Sequence, residues 1–157
     1  MSLQIYIAYG AAHDHATALR LKALGAVNGL AVYVPPVPTR MNGHGSLDPE
    51  SSQQLCECEI IVGVLTSEIT QACVQELNLG KQLVKKCIVI CEPQWAQQLS
   101  PYFPDGLLVL NPANPAEAET QLMNFLTAAK LQKDQAKAFL AMGTIALGLV
   151  LLAAATD

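Results

Sequence analysis

Residues 60–83 read IIVGVLTSEITQACVQELNLGKQL, and this stretch decides the fold. Its first six residues are an unbroken apolar run. That is the pattern of a strand buried on both faces, as in a parallel sheet. The period then changes. On a wheel of about 100° per residue, Ile69, Ala72, Cys73, Leu77, Leu79, Gly80 and Leu83 share one arc, and Gln71, Gln75, Asn78, Lys81 and Gln82 lie opposite. An apolar strand feeding an amphipathic helix is half of a βαβ unit.

Glu76 breaks this order. It sits inside the apolar arc, between Leu83 and Ile69. An ionised acid costs several kcal/mol to bury without partners, so it must be paired, protonated or facing a cleft. Its neighbours one turn away, Ala72 and Gly80, are small. They are expected to leave room beside the carboxylate. A structural acid held by amides or a cation, and a functional acid in a cleft, both satisfy this pattern.

Outward from this stretch, the chain repeats the same alternation. Residues 3–8, 30–34, 86–91 and 106–110 read as further strands. Helices are expected over 14–27, 49–57, 68–83, 93–99 and 115–130. Asn28-Gly29 stops the first helix, and Asp48-Pro49-Glu50 opens the second as an N-cap followed by proline. The spacing predicts an α/β domain over residues 1–131, with a five-stranded parallel sheet flanked by helices. Ligands bind such sheets at the carboxyl ends of the strands. Here those ends lead into residues 9–15, 35–47 and 66–69. Residues 132–157 read as a basic linker and a hydrophobic C-terminal helix.

Composition narrows the function. Of the 157 residues, 52% are hydrophobic and 14% charged, so the chain holds a core and is not disordered. A net charge of −4, with nine Lys and Arg, gives no basic face for nucleic acid. The five cysteines are odd in number, and the first apolar stretch has no basic leader, so reduced, mostly buried thiols are expected. Cys56-x-Cys58 lacks the paired CxxC spacing of structural zinc, and no metal is expected. His13-Asp14-His15 reads as an N-cap aspartate between exposed histidines, because adjacent helix positions project apart. Residues 43–46, GHGS, lack the GK[ST] ending of a phosphate loop.

With these residues in place, the chain resembles a TIR domain over about residues 3–130. Ile5-Tyr6-Ile7-Ala8-Tyr9 is similar to the family's first strand, VFISY. The run 60–67 followed by Thr70-x-x-Cys73-x-x-Glu76-Leu77 is similar to its third strand, a Ser, and S-x-W-C-x-x-E-L. The resemblance implies a flavodoxin-like TIR domain. It also implies an enzyme that cleaves NAD at the nicotinamide–ribose bond, as bacterial members do in antiviral defence. NAD is then substrate, and no cofactor is implied. By position, Glu76 would be the catalytic acid, with Tyr9, Arg40, Ala72 and Cys73 lining the substrate site. Residues 35–47 would cover the cleft and mediate TIR–TIR contacts, with Arg40 meeting the pyrophosphate. The chain departs from the pattern at Ala72, where many members carry Trp. The single tryptophan, Trp95, falls on the fourth helix, where packing accounts for it.

Residues 138–156 carry no charge, barely the length of roughly 20 residues that spans a bilayer. Lys130, Lys133 and Lys137 precede the run, which places the α/β domain in the cytoplasm and anchors it by its tail. A helix buried in an oligomer is the other reading. Two other functions stay open: a non-catalytic TIR module acting by self-association, and an enzyme like a nucleoside deoxyribosyltransferase.

Overall fold

The strands form as the apolar runs require. In a computed structural model, which describes residues 3–10, 12–36, 48–66, 69–111, 113–114 and 116–140, five strands pair into one all-parallel sheet. They are β1 Gln4–Tyr9, β2 Ala31–Tyr33, β3 Ile60–Leu65, β4 Lys86–Cys91 and β5 Leu107–Val109, in the order β2-β1-β3-β4-β5. Every residue of β3 is buried. The register sets Tyr6 beside both Tyr33 and Ile61. The architecture is α/β and compatible with a flavodoxin-like fold.

The strands alternate between two cores. Ile5, Ile7, Tyr9, Val62, Val64, Ile88 and Ile90 face α1 (Ala12–Val27) and α5 (Ala116–Leu140). On the other face, Tyr6, Ala8, Ile61, Leu65 and Val89 meet α2 (Pro49–Glu57), α3 (Gln71–Gln82) and α4 (Pro93–Leu99). Trp95 packs at the margin of this second core.

Helix boundaries follow local chemistry, and three differ from the expectation. The α3 helix starts at Gln71, not Glu68, because Thr70 caps it: its hydroxyl accepts from the Cys73 amide at 3.4 Å. The α2 helix opens as expected, with Asp48 accepting from the Ser51 amide at 3.0 Å. In α1, Asp14 lies within the first turn and is fully buried, so it is not the N-cap. The α5 helix continues past Lys130 to Leu140, since no Gly or Pro interrupts residues 116–140. The expected basic linker is therefore helical through Leu140. Among the described residues, no helix is long and apolar enough to cross a membrane. Arg40, the 37–47 part of the covering loop and the uncharged run from 141 onward lie outside the described residues.

Candidate functional site

Glu76 lies in the second turn of α3 and is wholly buried. Cys73, Leu77 and Gly80 are buried with it, as the wheel predicts, while Leu83, just past the helix, is exposed. The Tyr6 hydroxyl donates to Glu76 Oε2. Such charge-assisted bonds fix a carboxylate's orientation as well as stabilise it. Tyr6 reaches it because even-numbered residues of β1 point to the α3 face.

The polar chain continues laterally. The Tyr6 and Tyr33 rings lie 5.5 Å apart at 35°. The Tyr33 hydroxyl shares a 3.0 Å hydrogen bond with Ser51 Oγ, which is itself buried. Burial pushes the Tyr33 phenol above its ordinary pKa, and the negative charges of Glu50, Asp48 and Glu76 add to this, against the pull of the Ser51 bond. Two hydrogen bonds, Tyr6–Glu76 and Tyr33–Ser51, bridged by the contact of the two rings, thus join α3, β1, β2 and α2 in a seam that is buried at Glu76, Tyr6 and Ser51 and half-buried at Tyr33. Residue 36, beyond the end of β2, and Asp48, the cap of α2, bound the loop at this edge.

A second polar group sits at the carboxyl ends of β1 and β3, where the strand order reverses direction. Thr66 Oγ1 donates to the buried Asp14 carboxylate. The Gly10 amide donates to the Val64 carbonyl at 3.1 Å, and Thr70 Oγ1 donates to the Gly10 carbonyl at 3.4 Å. These bonds tie the start of α3, and so Glu76, to the switch point at which such sheets bind ligands.

The other expected site residues scatter. Tyr9 belongs to the core on the opposite face; its hydroxyl donates to the Pro35 carbonyl at 2.6 Å and its ring lies 5.1 Å from that of His15. It does not meet Glu76. Cys73 is buried among apolar side chains, and Ala72 is half-buried beside it. The expected room at Gly80 is absent: a β-carbon there would collide with the Ile61 side chain, which fills the space. The glycine permits close helix–strand packing instead. A cavity of about 300 Å³ borders α3 and is lined by Leu65, Ile69, Leu77, Leu99 and Phe103, among others. Glu76 does not line it. Among the described residues, no three His, Cys, Asp or Glu side chains converge to hold a metal.

Sequence reasoning singled out Glu76 but missed Tyr6, Tyr33, Ser51 and the Asp14–Thr66 pair. For Tyr6 a signal existed. A tyrosine amid Ile5, Ile7 and Ala8 on a buried strand needs a hydroxyl partner, and a misplaced acid on the next layer supplies one. The chain matches no protein-family model, and no curated protein sequence is significantly similar to it.

Proposed function

We propose that the chain is a TIR-like NAD glycohydrolase in which Glu76 is the catalytic carboxylate and residues 138–156 are a membrane anchor. One observation carries the reading: a fully buried acid, oriented by a tyrosine hydroxyl, on a helix tied to the switch point of a parallel sheet. In the reaction the bond between the nicotinamide nitrogen and ribose C1′ breaks, and its electron pair leaves with neutral nicotinamide. The ribose carries the positive charge as an oxocarbenium ion. Glu76 stabilises that charge, water adds to C1′, and a proton is lost to give ADP-ribose. Tyr6 positions the carboxylate, and Tyr33 and Ser51 buttress Tyr6.

A second reading has its own support. Glu76 has no solvent exposure, and Ile61 fills the space that a substrate group was expected to take. A structural acid in a non-catalytic module that signals by self-association meets both facts. Nicotinamide release from NAD, measured on concentrated, assembled protein, separates the two. The enzyme reading expects turnover that falls roughly 10²–10³-fold in Glu76→Gln, with the variant still folded. Equal turnover in the two proteins sinks it. Nucleoside turnover without NAD turnover would instead favour deoxyribosyl transfer.

A further inference from the structure

Next to the Glu76 seam the fold leaves open space. The β1–β2 register sets Gln4 beside Ala31 and, two residues on, Tyr6 beside Tyr33. Residues two apart on a strand share a face, so these four form two successive rows on the face that α2 covers. The Tyr6–Tyr33 row is filled by rings 5.5 Å apart. The Gln4–Ala31 row is not filled. Ala31 is small, both residues are exposed, and a cavity of about 260 Å³ opens there, lined by Gln4, Ala31, Tyr33, Gln54 and Cys58, among others. Tyr33 therefore has the Tyr6 ring on one side and open space on the other.

The helix over these rows is lightly anchored. It lies against β1 and α3, the elements that carry Tyr6 and Glu76. Of the nine residues of α2, Ser51 and Leu55 alone are buried. Leu55 joins the apolar core. Ser51 has little hydrocarbon to bury, and its side chain holds the helix through the 3.0 Å hydrogen bond with the Tyr33 hydroxyl. Elements with few buried apolar contacts open locally at free energies well below that of global unfolding. Glu76, meanwhile, is wholly buried and must be uncovered before a substrate can touch it.

Resting on the assignment of Glu76 as the working carboxylate, we infer that Tyr33 and Ser51 latch a gate over it. With their bond made, α2 closes over Tyr6 and Glu76. With it broken, the Tyr33 ring swings over Ala31 into the cavity and α2 lifts. The closed form is then a resting state, and access to the acid is the controlled step. The Tyr6–Glu76 bond is not part of the latch and persists in both forms.

Two cysteines report on opening without any need for turnover. Cys73 is buried on α3 one turn before Glu76, and Cys91 is buried on β4, three strands from β2. The test treats the full chain with N-ethylmaleimide under native conditions, follows each cysteine by peptide mass spectrometry, and measures nicotinamide release from NAD in parallel. Tyr33→Phe keeps the ring and Ser51→Ala nearly keeps the volume, and each removes the same bond. Labelling of a buried thiol tracks the population of the open form. Loss of one hydrogen bond of ordinary net strength shifts that population roughly 2–12-fold. Cys73 labelling should rise by this factor in both variants, with Cys91 labelling as in the parent. Ala31→Leu fills the cavity, blocks the swing and should lower Cys73 labelling. Nicotinamide release should follow Cys73 in all three. Unchanged Cys73 labelling in Tyr33→Phe and Ser51→Ala overturns the latch. So does a rise that Cys91 shares equally, which marks global unfolding, or a fall in turnover, as expected if Tyr33 only steadied Tyr6. Labelling that follows the latch with no nicotinamide from any of the proteins, the parent included, leaves the gate standing and removes NAD cleavage.

Discussion

The Tyr6–Glu76 hydrogen bond joins a strand to a helix inside a core, and both side chains are out of reach of water. Removing the hydroxyl withdraws a donor from a buried carboxylate, and hydrogen bonds to charged groups contribute about 1.5–3 kcal/mol. Tyr6→Phe should therefore lower stability by that amount in urea unfolding. Glu76→Gln keeps an acceptor for the same hydroxyl and should cost less. If the seam acts as one unit, the double variant will fall short of the sum of the two effects, because the residues share one bond. Full additivity would mean that they are energetically independent. An activity readout sharpens the distinction between roles. Tyr6 positions the acid, so in the enzyme reading Tyr6→Phe reduces nicotinamide release less than Glu76→Gln does.

Helices and strands were legible where one residue type dominates their energetics. The short β-branched run Ile60-Ile61-Val62 favours a buried strand, and Asp48-Pro49-Glu50 favours a helix start, and β3 and α2 fall where these signals put them. Legibility failed where tertiary contacts decide. Asp14 has the local signature of an N-cap, but it lies inside the first turn of α1, buried and bonded to Thr66, distant in sequence. Gly80 looks like vacant space on a wheel, which cannot show the Ile61 side chain arriving from β3. Tyr9 and Tyr6 differ by three residues and therefore face opposite sides of the sheet, a parity that separates one of them from Glu76. Two substitutions test the elements themselves. Val84→Gly relieves the left-handed strain at the end of α3, where Val84 has φ 57°, and should stabilise the fold by about 1 kcal/mol, read as a higher Tm. Gly106→Ala should do the opposite. Its β-carbon would run into the Cys87 carbonyl, a backbone atom in the β4–β5 ladder, while the Gly106 carbonyl accepts from the Val89 amide at 2.6 Å. A loss of at least about 2 kcal/mol is expected, because neither strand can yield without breaking its pairing.

Across the fold, one core carries groups that respond to alkali. The face that holds Glu76 also holds Cys58, Cys73 and Cys91, all buried, with Cys87 at its margin. Burial pushes the Cys58 thiol from 9.0 up to about 11, an effect that nearby Lys85 opposes, and burial alone does the same for Cys91. Cys87 moves up for the same first cause. Each of these groups favours the neutral thiol in the folded state. Well below pH 9 the folded and unfolded chains bind the same number of protons at these sites, and stability does not change with pH on their account. Between pH 9 and about 11 the unfolded chain has lost protons that the folded chain keeps, so stability falls as pH rises. Each thiol can contribute a slope of at most ~1.4 kcal/mol per pH unit. Chemical unfolding under reducing conditions from pH 8 upward should show a flat limb that turns downward near 9. In Cys58→Ala the downward limb should be shallower, although the variant starts from lower stability because it loses the thiol that donates to the Leu55 carbonyl at 3.1 Å. A Cys58→Ala limb as steep as that of the parent would show that ionisation of this thiol is not what opens the core.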